Sequence, residues 1–227
     1  MGLKVDGSDS KAVQIADEHH WPDLQALICV VSDEKKGTPS TDGMQLTVKT
    51  SELLQHRIKE TVPLHMKEMI KAVHTKDFPL FAELTMKDSN QFHAVCLDTY
   101  PPIFYLNDIS RAIIRIITEY NMNGIKAAYT FDAGPNAVIY APQENMAEIY
   151  AILNHFFPGA SFDDTMGLLK GQQFTPLPQS FDPKVSPVFA QGSVKQILHT
   201  KAHDGPRIVD TTQHGLLNPE GFPKRLA

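Results

Sequence analysis

Asp132 is the residue whose setting most invites chemistry. It stands in KAAYTFDAGPNAVIY, Lys126 to Tyr140, where one apolar run enters and another leaves. Between the runs, Asp132-Ala133-Gly134-Pro135-Asn136 supplies turn formers and one carboxylate. Asp, Gly, Pro and Asn are ordinary turn residues, and a hairpin would account for them. The segment is longer than a two-residue hairpin turn, however, and Asp132 follows directly on Phe131. That placement keeps the carboxylate near the core edge, where partial desolvation would tune it to accept a proton. Site residues concentrate at strand ends and loops. On these residues alone, turn and site both stand.

A second stretch, TPSTDGM from Thr38 to Met44, has three hydroxyls and a glycine where a helical pattern begins. Free backbone N–H groups at a helix start, with hydroxyls beside them, can receive an anion. A simple N-cap is the commoner use and is preferred on composition. A third stretch, TMKDSNQFHA from Thr85 to Ala94, places Ser89, Asn90 and His93 on about one helical face. Such a face either meets solvent, which is the default, or lines a polar cleft. There is no G-x-x-x-x-G-K-[ST], G-x-G-x-x-G or G-x-S-x-G, so Walker ATPases, dinucleotide binders and α/β-hydrolases lack their fingerprints. The ten histidines form no H-E-x-x-H, and no metal site is expected.

The elements that must position these residues alternate irregularly. DLQALICVVS, Asp23 to Ser32, reads as a buried strand, followed by a loop from Asp33 to Gly43. Helical spacing starts at Met44, breaks at Pro63, and resumes with Met66, Met69, Ile70 and Val73 on one face. Asp77 is a cap candidate for a helix running through FAELTMKDSNQFHAVCL and ended by Pro101 and Pro102. Asn107 or Asp108 caps another, which Asn123-Gly124 terminates. Strands IKAAYTF and NAVIY flank the Asp132 turn, and Gln143 to Phe157 is an amphipathic helix. Residues 160–187 read as irregular, then SVKQILHT and PRIVD as short strands before a polar tail. Several helices in succession point to an α+β fold rather than a βαβ array.

The 227 residues, 42% hydrophobic and 21% charged, allow one large domain with a sizeable core. A net charge of −5 argues against a nucleic-acid partner but not against a small phosphorylated ligand. Cys29 and Cys96 read as buried thiols of a reducing compartment. The start, MGLKVDGSDSKAVQ, has no apolar signal core and no myristoylation pattern, and no run is long enough for a membrane helix. The expected location is the cytosol.

Three stretches together, YTFDAGPNA, LTMKDSNQFHA with CLDTYPPI, and KGTPSTDGM with HHWPDLQALICVVSDEKK before it, resemble the mevalonate diphosphate decarboxylases. These belong to the superfamily of galactokinase, homoserine kinase, mevalonate kinase and phosphomevalonate kinase. The resemblance covers nearly the whole chain, from DGSDSKAVQIA to GPRIVD. It implies a GHMP-kinase C-terminal-type domain, α+β, with an antiparallel sheet packed against several helices. It implies ATP-dependent decarboxylation of mevalonate 5-diphosphate to isopentenyl diphosphate with Mg2+, and a homodimer. Asp132 would be the catalytic carboxylate by the tertiary hydroxyl. Ser40 and Thr41 would face the substrate diphosphate, which lifts the anion reading of that loop over the cap. Ser89, Asn90 and His93 resemble a cleft-lining motif without an assigned role.

The family's upstream motifs, including the serine-rich ATP loop and a substrate-binding arginine, do not occur in this sequence. Residues 1–22 are therefore expected to be a remnant of the upstream domain or a linker. Residues 23–227 are expected to form the C-terminal domain, irregular at about 160–190. The resemblance implies a chain that is inactive and poorly soluble alone, or a non-catalytic binding or dimerising module.

Overall fold

The computed structural model describes residues 4, 6–31, 37–169, 177–205, 208, 210 and 215–224. In chain order the elements are β1 (Leu24–Val30), α1 (Ser40–Thr50), α2 (Glu52–His56), a π-helical turn (Arg57–Thr61), α3 (Val62–Thr75), α4 (Phe78–Asp98) and α5 (Asp108–Tyr120). There follow β2 (Ala128–Phe131), β3 (Ala137–Pro142), α6 (Gln143–Phe156), β4 (Ser161–Asp163) and β5 (Gln196–Lys201). The fold is α+β, as expected. The sheet runs β2-β3-β1-β5-β4. Its first four strands are antiparallel, and β4 adds a parallel edge beside β5.

The core lies between this sheet and two helices. Leu27, Ile139 and Ile197 face it from β1, β3 and β5. Ile113, Ile116, Ile117 and Tyr120 form one stripe of α5, at the spacing that puts side chains on one helical face. Met146, Ile149, Ile152, Leu153 and Phe156 do the same on α6. Each such side chain taken fully from water stabilises the fold by about 1.5–3 kcal/mol. Cys29 and Cys96 are buried free thiols, and burial pushes the Cys29 pKa up to about 12. The segment before β1 is docked too. His20 Nε2 lies 2.8 Å from the Val73 carbonyl, His74 Nε2 lies 2.8 Å from that of Ile15, and Trp21 meets Phe81 edge-on.

Several local expectations hold. Asp77 Oδ1 accepts the Leu80 N–H at 3.0 Å and caps α4, with Pro79 in the first turn. Asn107 caps α5 in a reciprocal box with Ser110. Others need correction. The loop after β1 ends earlier than Gly43, because α1 already begins at Ser40; residues 32–36 lie outside the description. Pro63 does not break its helix. The preceding turn widens so that the Val62 N–H reaches the Arg57 carbonyl, and α3 continues with Pro63 in its first turn. A proline has no N–H to give and crowds the carbonyl four residues back, and a π turn accommodates both problems. Arg57, in that turn, forks onto Asp88 of α4 at 2.8 and 2.9 Å. The region expected to be irregular contains β4, while 170–176 lie outside the description. PRIVD lies mostly outside it as well.

Candidate active site

Helix α4 holds the strand that leads into Asp132. At its C-terminal end it grips the first two helices. Thr99 and Thr47 share a buried hydroxyl bond of 2.9 Å. Ser51 donates to Asp98 at 2.7 Å, and the Leu53 N–H donates to the same carboxylate at 3.1 Å. These bonds hold the Asp98 carboxyl below the usual carboxylate range. In its middle, α4 grips β2: the Phe131 N–H donates to Ser89 Oγ at 3.1 Å, and Tyr129 Oη donates to Asn90 at 3.1 Å. Ser89 and His93 are buried and only Asn90 is exposed. The default solvated reading of that face is therefore wrong for two of its three residues. The face packs against the strand that leads into Asp132.

The Asp132 turn is held from three further sides. The Gly134 N–H folds back on the Asp132 carbonyl at 2.8 Å. Ser110, fully buried at the start of α5, donates to the Pro135 carbonyl at 2.9 Å. The Val31 N–H, just past β1, donates to Asn136 Oδ1 at 2.8 Å. A plain hairpin turn needs none of these long-range partners. Asp132 itself is exposed, not partly buried at a core edge. Phe131 is the last residue of β2, so the next side chain clears the sheet.

Asp132 has two ionisable neighbours. His93 is 8% exposed, and its Nε2 has no hydrogen-bond partner. Burial lowers the His93 pKa, opposed by the Phe131 backbone dipole and by the negative charge of Asp132. Tyr105 is raised by burial, by Cys96 and by Asp132. Its hydroxyl also reaches α1, where a Cβ placed on Gly43 would stand 2.5 Å from Tyr105 Oη. A side chain at 43 would oblige the Tyr105 ring to shift. Tyr105 thus reaches the first turn of α1 and feels the negative charge of Asp132.

At that first turn the cap preference is corrected. The cap position belongs to Pro39, and no side chain makes a cap bond; Ser40 and Thr41 are the first two helical residues. Ser40 is half-buried and Thr41 exposed. The backbone N–H groups of a helix's first turn have no partner inside the helix, and its dipole favours negative charge there. The arrangement can therefore present an anion site at the start of α1, and Asp132 presents a separate exposed carboxylate. Sequence reasoning missed Tyr105, Ser110 and Asn136 as shapers of the site. Asn107-x-x-Ser110 is readable as a capping box, but nothing local marks the bond from Ser110 to Pro135.

Among the described residues, no group of three or more His, Cys, Asp and Glu stands together as a metal site, and no helix is long and apolar enough to cross a membrane. Residues 26–209 match the family model of the mevalonate 5-diphosphate decarboxylase C-terminal domain. The diphosphomevalonate decarboxylase of Ganoderma lucidum is 54% identical over 99% of this chain and 58% of its own length. A solved mevalonate diphosphate decarboxylase from Trypanosoma brucei superposes with a TM-score of 0.85 at 34% identity, over 93% of this chain and 57% of that one. A structure described as MDDEF in complex with MVAPP, AMPPCP and magnesium has a TM-score of 0.56 at 28% identity, over 60% of this chain and 41% of that one. This chain thus spans little more than half the length of the first two relatives. It belongs to the mevalonate 5-diphosphate decarboxylase family.

Proposed function

We propose that this chain carries the substrate-facing part of an ATP-dependent decarboxylase that turns mevalonate 5-diphosphate into isopentenyl diphosphate, ADP, phosphate and CO2. The observation that supports the reading is that Tyr105, whose hydroxyl reaches Gly43 at the start of α1, feels the negative charge of Asp132. A substrate with a diphosphate at one end and a tertiary hydroxyl at the other matches that pair of groups. Ser40 and Thr41, with the N–H groups of the first turn of α1, receive the diphosphate. Asp132 accepts the hydroxyl proton, or orients the hydroxyl, as its oxygen takes the terminal phosphoryl group of ATP. The C–O bond to phosphate then breaks, the carboxylate leaves as CO2, and its bonding electrons form the alkene. A fixed anion beside the carbon that loses phosphate stabilises the positive charge developing there. Magnesium would neutralise phosphate charge when bound; among the described residues no group of three or more His, Cys, Asp and Glu stands together to hold it. The MDDEF complex with MVAPP, AMPPCP and magnesium supports the choice of ligands.

The groups that hold ATP are assigned to the part of the relatives that this chain does not match. On this reading residues 23–227 are the C-terminal domain and residues 1–22 a remnant of the upstream domain or a linker. The chain alone is then inactive, because proximity of the nucleotide supplies much of the rate. We place it in the cytosol, in keeping with its two free thiols. A second reading, a binding or dimerising module, draws on the apolar side chains that α1–α3 leave exposed, among them Met44, Val48, Leu53, Leu64 and Met66. The same surface accounts for an expected poor solubility, and homodimerisation is one way to cover it.

The test is ATP-dependent CO2 release from mevalonate 5-diphosphate. It is run on the 227-residue chain, and on the chain joined to the part of the Ganoderma lucidum relative that it does not match. Turnover is expected only from the joined protein. Turnover by the chain alone would overturn the inactivity, and none from a folded joined protein would overturn the decarboxylase reading.

A further inference from the structure

Ser110 holds a place that helix capping explains only in part. It is the third residue of α5, wholly buried, and it closes the capping box with Asn107. Its N–H donates to Asn107 Oδ1 at 3.0 Å, and its Oγ accepts the Asn107 N–H at 3.3 Å. The residue that usually answers a cap from this position is Glu or Gln. A glutamate could accept the cap N–H but pass nothing on, and a glutamine would add volume at a fully buried position. A serine hydroxyl both accepts and donates. Two oxygens lie within reach of its one hydrogen, Asn107 Oδ1 at 3.1 Å and the Pro135 carbonyl at 2.9 Å. Asn107 Oδ1 is already engaged by the Ser110 N–H, and the Pro135 carbonyl is the nearer of the two. The hydrogen therefore goes to Pro135. One buried hydroxyl so continues the α5 cap into the Asp132 turn.

The bond falls where the turn has little slack. The Gly134 N–H closes on the Asp132 carbonyl at 2.8 Å, and the ring of Pro135 fixes its own φ. β2 ends at Phe131 and β3 begins at Ala137, so only five residues lie between the strands. A displaced Pro135 carbonyl therefore carries the turn with it. We propose that Ser110 is a positioning residue: its hydroxyl hangs the Asp132 turn on the N-terminus of α5 and so fixes where the Asp132 carboxylate stands. The role rests on the reading of Asp132 as the catalytic carboxylate. Ser110, being buried, acts through the backbone.

Two measurements decide this. The first needs no activity. The Pro135 carbonyl and the Asn136 N–H belong to one peptide group. In the 227-residue chain, Ser110→Ala should shift the Pro135 carbonyl-carbon resonance and the Asn136 amide. Asn107→Ala, which breaks the cap but keeps the Ser110 hydroxyl, should leave both nearly in place. Unmoved resonances in Ser110→Ala, or equal shifts in the two variants, would overturn the bond to the turn. The second uses the joined protein. Ser110→Ala should lower kcat about 10-fold, with KM for mevalonate 5-diphosphate within about two-fold, since misplacing a reacting group costs rate rather than binding. Ser110→Cys, close in shape but a weak donor, should do the same, and it serves where alanine unsettles the fold. Asn107→Ala should lower the melting temperature yet keep kcat within about two-fold, because its side chain caps the helix alone. Full kcat in a cooperatively melting Ser110→Ala or Ser110→Cys, or an equal loss of kcat in Asn107→Ala, would overturn the positioning role. If the unsubstituted joined protein releases no CO2, the decarboxylase reading fails and the positioning role with it, while the resonances still decide whether Ser110 holds the turn.

Discussion

The Asp132 turn and the start of α1 are assigned to one substrate, yet they are held in opposite ways. The turn is fastened by α4 through Phe131, by α5 through Pro135 and by the end of β1 through Asn136. The start of α1 has no side-chain cap, and α1 buries only Gly43 and Thr47. Its anchors sit further along the helix, where Thr47 meets Thr99 and the Tyr100 N–H meets Thr50 Oγ1. A carboxylate that must meet one hydroxyl at one angle gains from a rigid mount. A helix end that receives a diphosphate through several N–H groups tolerates small shifts. On the function proposed above, the contrast would divide the work, the turn governing rate and the helix start governing affinity.

The sharpest way to break this contrast is Asp132→Asn in the joined protein. The account expects kcat to fall about 1,000-fold with little change in melting temperature, because Asp132 is exposed. Equal loss of stability would make it a structural residue. Next is Asn136→Ala, which leaves the Val31 N–H without its partner. Urea unfolding should show a loss of about 1–3 kcal/mol; no loss would mean that the turn is not fastened there. Gly43→Ala follows. A helix interior favours alanine by about 1 kcal/mol, but the new methyl would stand 2.5 Å from Tyr105 Oη. Overpacking of about 1–3 kcal/mol should win, and adding Tyr105→Phe should relieve it. A simple gain in stability would mean that Tyr105 does not reach the start of α1.

The smallest effect concerns pH and the scaffold behind both regions. Burial alone would raise the Asp88 pKa, but the Arg57 fork and His65 bring it below the usual value. A depressed carboxylate stabilises the fold fully above its unfolded pKa of about 3.9 and loses that contribution as pH falls through its folded value. Asp88→Asn should therefore make the acid limb of stability, below about pH 4, shallower. Its pair is partly exposed, so the effect near neutral pH is expected to be slight.

What the sequence made legible follows from the range of the interactions. Asp132 at a strand end, the Asp77 cap, the Asn107 cap and the apolar stripes of α5 and α6 all rest on residues within a few positions of one another. The fastenings of the turn do not. Val31 and Asn136 are 105 positions apart, and Ser89 and Phe131 are 42 apart. No local pattern encodes such pairs. Ser89 and His93 were recognisable as one helical face, but whether that face met solvent or a strand depended on where β2 lay. Pro63 misled for a related reason: a proline ordinarily ends a helix, and only the wider turn before it lets this one continue.

The most direct test of the central claim, that the turn and the start of α1 address one ligand, is an NMR titration of the joined protein with mevalonate 5-diphosphate. The account expects the amides of Ser40 to Asp42 and of Asp132 to Gly134 to shift together along one binding isotherm. It expects Thr41→Val to weaken that isotherm, and Asp132→Asn to leave its midpoint nearly unchanged. Shifts at one region without the other, or two isotherms with different midpoints, would contradict it.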